Sequence, residues 1–202
     1  MRWPALVVAV VTTVGACAGR DAAPSLSAAV RVPPAQVGGE SLPEPANGGA
    51  PFRFTARPGG LLLVYFGYTS CPDVCPTTLA VLRTALRKIG KRAERVELAM
   101  VTIDPGRDTP DRLGAYVTSF VPGAHALRTD DADALRRVAE AFGASYSVAT
   151  DPSGLSEVSH TPFVYIVNDR GELLAQWPFG VQAPDVAHDL SVLLSPRFRK
   201  ET

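Results

Sequence analysis

The segment Tyr65-Phe66-Gly67-Tyr68-Thr69-Ser70-Cys71-Pro72-Asp73-Val74-Cys75-Pro76 presents two thiols in a CxxxC spacing, directly after an apolar run. On a helix, residues i and i+4 share a face, with Cα atoms about 6 Å apart. That separation suits a disulfide and equally suits two thiolates on one soft metal ion. If a helix begins here, its free N–H groups and positive dipole end lower a thiol pKa. Pro72 and Pro76 restrict the backbone around the pair. A disulfide closing so short a loop removes little chain entropy, so a structural staple accounts poorly for the pair. The chemistry open to it is redox, metal binding, or both.

Two further groups of residues could join that chemistry. Asp104 and Asp108 lie in Val101-Thr102-Ile103-Asp104-Pro105-Gly106-Arg107-Asp108-Thr109-Pro110, at the carboxyl end of a second apolar run. Ligands of parallel-sheet proteins gather at such strand ends, and a carboxylate there could orient a ligand through a hydrogen bond. The alternative for Asp108 is a turn, or a salt bridge with Arg107 or Arg112. The histidines are His125, His160 and His188. His188, beside Asp189, reads as a solvated side chain, and His125, in a surface turn or short strand, as a surface or hydrogen-bonded one.

The elements that must position these residues alternate. Residues 61–66 form a continuous apolar run, as expected of a strand buried on both faces. A helix follows over 76–89, with Leu79, Leu82, Leu86 and Ile89 at helical spacing and Gly90 as its stop. Residues 96–103 read as a second buried strand. Thr109 followed by Pro110 opens a helix through Val117 and Phe120. A short strand over 124–128 leads to a helix carrying Leu135, Val138, Ala139 and Phe142 on one face. Asn168-Asp169-Arg170-Gly171 turns a β-rich run over 163–167 into a hairpin partner over 172–176, and 184–194 is a closing helix.

The order β-α-β-α-β-α-β-β-α, with the cysteines at the first strand-to-helix junction, resembles the thioredoxin-like fold: α/β, with a central mixed sheet flanked by helices. Such folds resemble one another in a cis-proline facing the cysteine site, and Pro162, before the run over 163–167, stands there. His160, two residues earlier, then faces the cysteines. Two thiolates and an imidazole suit Cu(I), can hold Cu(II), and with an open fourth position could equally hold zinc.

The flanks and composition bound the rest. Lys+Arg and Asp+Glu balance at 20 each, so no net field recruits nucleic acid. Arg2 and the apolar stretch over 4–14 read as an export signal, about 11 apolar residues being too few to span a bilayer. Val14-Gly15-Ala16-Cys17 resembles a bacterial lipobox, so residues 1–17 are expected to be a signal peptide ending at a lipidated Cys17. Cys71 and Cys75 then remain as the thiols of a domain in a disulfide-permissive compartment. Residues 18–50, rich in Ala, Pro and Gly, read as a flexible tether, and 51–202 as the folded domain.

Taken together, residues 66–79, then Val101-Thr102-Ile103-Asp104-Pro105 with Arg107-Asp108-Thr109-Pro110, then Ser159-His160-Thr161, resemble the Sco/SenC family of copper proteins. The resemblance covers roughly residues 60 to 195, with three blocks in the correct order. It implies one copper ion per domain, Cu(I) or Cu(II), bound through Cys71, Cys75 and His160, with the family's acidic residue falling on Asp104 or Asp108. It also implies a metallochaperone for the binuclear copper centre of cytochrome c oxidase. Its partners would be that oxidase subunit, a copper donor protein and a membrane reached through the N-terminal lipid, with the domain on the extracytoplasmic side. The competing enzyme reading is a thiol–disulfide oxidoreductase using Cys71 and Cys75 to reduce the cysteines of that centre. A peroxidase is disfavoured, since no polar partner beside one cysteine is identifiable. Two departures stand out: residues 51–60 look contracted against the family's hairpin, and Pro162 gives the site an oxidoreductase character.

Overall fold

The computed structural model describes residues 25–150, 156–196 and 198. The expected signal peptide and Cys17 therefore lie outside the described residues. A six-stranded mixed sheet forms the centre, with strands β1 (Ala29–Gln36), β4 (Leu61–Gly67), β5 (Val96–Thr102), β6 (His125–Leu127), β9 (Val164–Val167) and β10 (Glu172–Trp177). Its order is β1-β10-β9-β4-β5-β6, parallel across β4-β5-β6 and antiparallel elsewhere.

β4 shows why its sequence is apolar throughout. Leu61, Leu63 and Tyr65 face one core, and Leu62, Val64 and Phe66 the other, so every side chain is buried. The first core is covered by α1 (Val74–Ile89), α2 (Pro110–Phe120) and α4 (Ala183–Leu193), through residues such as Leu79, Leu82, Leu113 and Leu190. The second is covered by α3 (Ala132–Phe142), which contributes Leu135, Val138 and Phe142. Thr109 caps α2 as expected, accepting from the Arg112 N–H at 3.3 Å.

Three expectations need correction. The segment expected to be a tether carries β1, which pairs antiparallel with β10, and β2 (Ser41–Glu44), so the folded domain begins before residue 51. β1 escaped notice because it is an edge strand with little apolar burial: Val30 and Val32 are exposed, and Pro33 and Pro34 interrupt any alternation. What holds this segment is polar and remote in sequence. The Ser27 and Ala28 amides donate to Asp189 at 3.1 and 2.8 Å, and Arg31 donates to Gln176 at 2.8 Å and to the Phe142 carbonyl at 3.1 Å.

Second, the hairpin that looked contracted is present, as β2 paired with β3 (Ala50–Arg53), with Leu42 buried against the second core. His125 is a hydrogen-bonded side chain that pins this hairpin: its Nδ1 lies 2.7 Å from Glu44 and its ring 4.5 Å from that of Phe52. His188 is exposed, as expected. Third, the cis peptide bond among the described residues is Val32–Pro33, not the one before Pro162. A separate hairpin, β7 (Tyr146–Thr150) with β8 (Ser156–His160), had no counterpart in the sequence reading and carries His160 at its end.

Candidate metal centre

β4 ends at Gly67, and the chain turns through Tyr68-Thr69-Ser70-Cys71 before α1 begins at Val74. Cys71 is therefore not on the helix. Its sulfur instead receives the Cys75 N–H at 3.3 Å, taking a first-turn amide that the N-cap residue, Asp73, leaves without a side-chain cap. Cys71 is half-buried and Cys75 fully buried, and both are free thiols. Gly67 makes room for this: a Cβ there would stand 3.1 Å from the Cys75 sulfur and 2.8 Å from the Tyr65 ring.

Burial pushes the Cys75 thiol up to about 12, opposite to the lowering expected at a helix N-terminus. Desolvation in the apolar core outweighs the helix dipole and the hydrogen bonds to the sulfur. The phenol of Tyr65, buried beside that thiol, is also pushed up, first by burial and then by the nearby sulfur.

His160 arrives from the other side of the cysteine turn. Its Nε2 lies 3.9 Å from the Cys75 sulfur and its Nδ1 3.2 Å from the Thr161 carbonyl oxygen. An N–H on Nδ1 donating to that carbonyl leaves the Nε2 lone pair directed at the sulfur. Burial lowers the imidazole pKa, which favours the neutral ring that a metal needs. Edge-on contacts with Tyr65 and Tyr68, at 6.0 and 6.2 Å between ring centres, fix the plane of the ring. The hairpin end is clamped as well: the Thr161 N–H donates to the Ser145 carbonyl at 2.9 Å, and the Ser145 N–H to the Thr161 hydroxyl at 3.1 Å.

The two aspartates divide differently from the expectation that placed them together. Asp108, fully buried, holds the cysteine turn: it accepts from the Thr69 N–H at 3.1 Å, the Thr69 hydroxyl at 2.5 Å and the Thr102 hydroxyl at 2.6 Å. It therefore makes neither of the salt bridges considered for it. Asp104 pairs with Arg107, whose guanidinium lies over the Tyr68 ring at 5.7 Å. Among the described residues, neither carboxylate hydrogen-bonds a sulfur or His160, and no three His, Cys, Asp or Glu side chains stand close enough together to hold a metal ion as they are placed. Gly67, Tyr65 and Thr69 had no role assigned from sequence. The visible signal was the glycine at the end of an otherwise large-residue strand.

A mixed sheet packed by helices on both faces, with two cysteines at the first strand-to-helix junction, defines a protein of thioredoxin-like fold. The SCO1/SenC family model matches residues 46–195, and the chain belongs to that family. It is similar to apo Sco1 from Thermus thermophilus, with a TM-score of 0.73 and 30% identity, over 84% of this chain and 97% of that one. Copper-bound ScoI from Bradyrhizobium japonicum gives a TM-score of 0.64 and 28% identity, over 75% and 95% of the two chains. The human mitochondrial SCO1 homolog is 31% identical over 149 residues, 71% of this chain but 48% of its own length. A Stutzerimonas stutzeri relative is 34% identical over 124 residues, 61% of this chain and 60% of its own length.

Proposed function

We propose that this protein binds one copper ion through Cys71, Cys75 and His160 and delivers it during assembly of the binuclear copper centre of cytochrome c oxidase. The observation that carries the proposal is the 3.9 Å approach of His160 Nε2 to the Cys75 sulfur, with the Cys71 sulfur on the Cys75 amide. A three-coordinate ion with metal–sulfur and metal–nitrogen bonds of about 2.3 and 2.0 Å would hold such a pair roughly 3.7 Å apart. Two soft sulfurs and one neutral imidazole match Cu(I). Copper-bound relatives of the same fold support the choice of metal.

In this reading Cys75 loses its proton only when the metal takes its place, because burial holds the free thiol neutral. Asp108 holds the turn that carries Cys71, and the Thr161 carbonyl keeps the histidine's lone pair aimed inward. Titration of the reduced protein with Cu(I) is expected to saturate at one ion per chain. Cys71→Ser or Cys75→Ser should abolish that binding, and His160→Ala should weaken it at least tenfold. A silent His160→Ala would remove the histidine from the site. The proposal also places the domain outside the cytoplasm, tethered through a lipid on Cys17, which the mass of the mature N-terminal peptide tests.

A second reading rests on the unequal burial of the two cysteines. A half-exposed Cys71 can attack a partner's disulfide while the buried Cys75 waits to resolve the mixed disulfide, oxidising this pair as the partner's is reduced. Reduction of an oxidase-derived peptide disulfide by wild type, but not by Cys71→Ser, is its expected signature. Absence of that reduction would leave copper delivery alone.

A further inference from the structure

Handing copper from one ligand set to another requires the receiving protein to bring its own donors against Cys71, Cys75 and His160, so the borders of that trio form the contact surface. Those borders are chemically unlike. On the side of β9 and β10, Phe179 stands 42% exposed on the turn before α4. Beside it opens a cavity of about 60 Å³, lined by Thr77, Val81, Pro162, Pro178 and Val181. Thr77 is two residues beyond Cys75 and Pro162 two beyond His160, so two of the residues lining this hollow lie close in sequence to the ligand trio. Scattered exposed apolar side chains are ordinary, but one rimming a hollow lined by residues two positions from two of the ligands is a candidate contact feature.

On the other side of β4, towards β5 and β6, the border carries an exposed arginine, Arg112. Arg112 donates to the Ser70 hydroxyl at 3.0 Å, which fixes its guanidinium beside the residue preceding Cys71. It is exposed, and no carboxylate among the described residues pairs with it. An arginine already positioned by a hydrogen bond loses little further freedom when it meets an incoming carboxylate.

We propose that the copper-accepting partner is a polypeptide that seats an apolar side chain in the hollow beside Phe179 and a carboxylate on Arg112, straddling the Cys71–Cys75–His160 mouth. This rests on the copper-delivery reading above. Copper passes as Cu(I): bonds to the partner's thiols form as those to Cys71, Cys75 and His160 break, and the imidazole leaves as the neutral ring. The two released thiolates take up the protons the incoming thiols lose, and no electron moves.

The test follows Cu(I) leaving the loaded full-length protein by stopped flow, with two acceptors. One is the soluble copper-centre domain of a cytochrome c oxidase subunit; the other is dithiothreitol, a small uncharged dithiol that needs no docking surface. Phe179→Ser and Arg112→Glu are each expected to slow transfer to the protein acceptor about tenfold. The Arg112→Glu effect should shrink as ionic strength rises, and the Phe179→Ser effect should not. Cu(I) affinity, transfer to dithiothreitol and the unfolding midpoint should match wild type for both. Phe179→Leu, which keeps an apolar side chain at the rim, should retain most of the rate. Unchanged transfer to the protein acceptor in both variants would overturn the docking surface and leave copper delivery standing. No transfer to the protein acceptor by wild type, with transfer to dithiothreitol intact, would overturn delivery itself and the docking surface with it.

Discussion

The cysteine side and the histidine side of the site are attached to the fold by different means. The cysteine turn is anchored in the interior: Thr69 is gripped by a buried Asp108 that also holds Thr102 on β5, and Cys75 lies in the first core above Gly67. His160 sits at the end of a two-stranded hairpin outside the central sheet, whose base is closed by the Ser145–Thr161 hydrogen bonds. Tyr146 and Val158 rest on the second core, but the hairpin shares no ladder with the six-stranded sheet. The sulfurs are thus held as firmly as the core, while the imidazole depends on a few local contacts. A site that must both bind and release a metal can use that asymmetry, with the histidine giving way first.

Removing the interior anchor should have the largest effect. Asp108→Ala leaves two hydroxyls and one amide of the cysteine turn and β5 unpaired, at a cost of about 3 kcal/mol in urea unfolding. Cu(I) affinity should fall with it, and Asp108→Asn, which keeps an acceptor, should recover part of both. Gly67→Ala comes next: the added methyl meets the Cys75 sulfur and Tyr65 ring, costing about 1–3 kcal/mol. If stability is unchanged in either variant, the cysteine side is not core-anchored.

The histidine side should respond in the opposite proportion. Thr161→Val removes the hydroxyl that meets both the Ser145 amide and the Ser145 side chain, and should cost no more than about 1 kcal/mol of global stability. It should nevertheless weaken Cu(I) binding and speed Cu(I) loss. A variant that destabilises the whole fold as much as Asp108→Ala would erase the contrast between the two sides.

The smallest effects are in pH dependence, and they have opposite signs on the two sides. Cys75 is raised from 9.0 to about 12, so the fold prefers its neutral thiol. Metal-free stability should therefore decline as pH rises from 9 towards 12, where the unfolded chain ionises first. His160 is lowered from 6.5, so the fold prefers the neutral imidazole. Stability should then decline as pH falls below 6.5, and His160→Ala should remove that acid limb. Cu(I) affinity should rise with pH through the neutral range, because the metal must displace the Cys75 proton.

How much of this was legible depended on how each element is held. β4, α1, β5, α2, β6, α3, β9, β10 and α4 announce themselves through apolar periodicity, because each buries a face that its own residues encode. β1 and the β7–β8 hairpin do not, since edge pairing and backbone ladders leave little trace in side-chain pattern. The ordering of the aspartates was equally hidden: Asp104 and Asp108 differ only in which of them the turn after β5 directs toward Thr69.

The amino-acid sequence alone settled the kind of chemistry and the scaffold: two sulfurs at a strand-to-helix junction of a thioredoxin-like α/β domain, in a pattern that marks the family. Residue identity and local periodicity carry that much. Tertiary structure decided the character of the cysteine pair, placing Cys71 before the helix with its sulfur on the Cys75 amide and holding Cys75 as a buried thiol. It also decided that His160 meets Cys75 rather than solvent, and that Asp108 rather than Asp104 holds the turn. Those outcomes depend on desolvation and on contacts between residues 39 to 85 positions apart, which no local pattern contains.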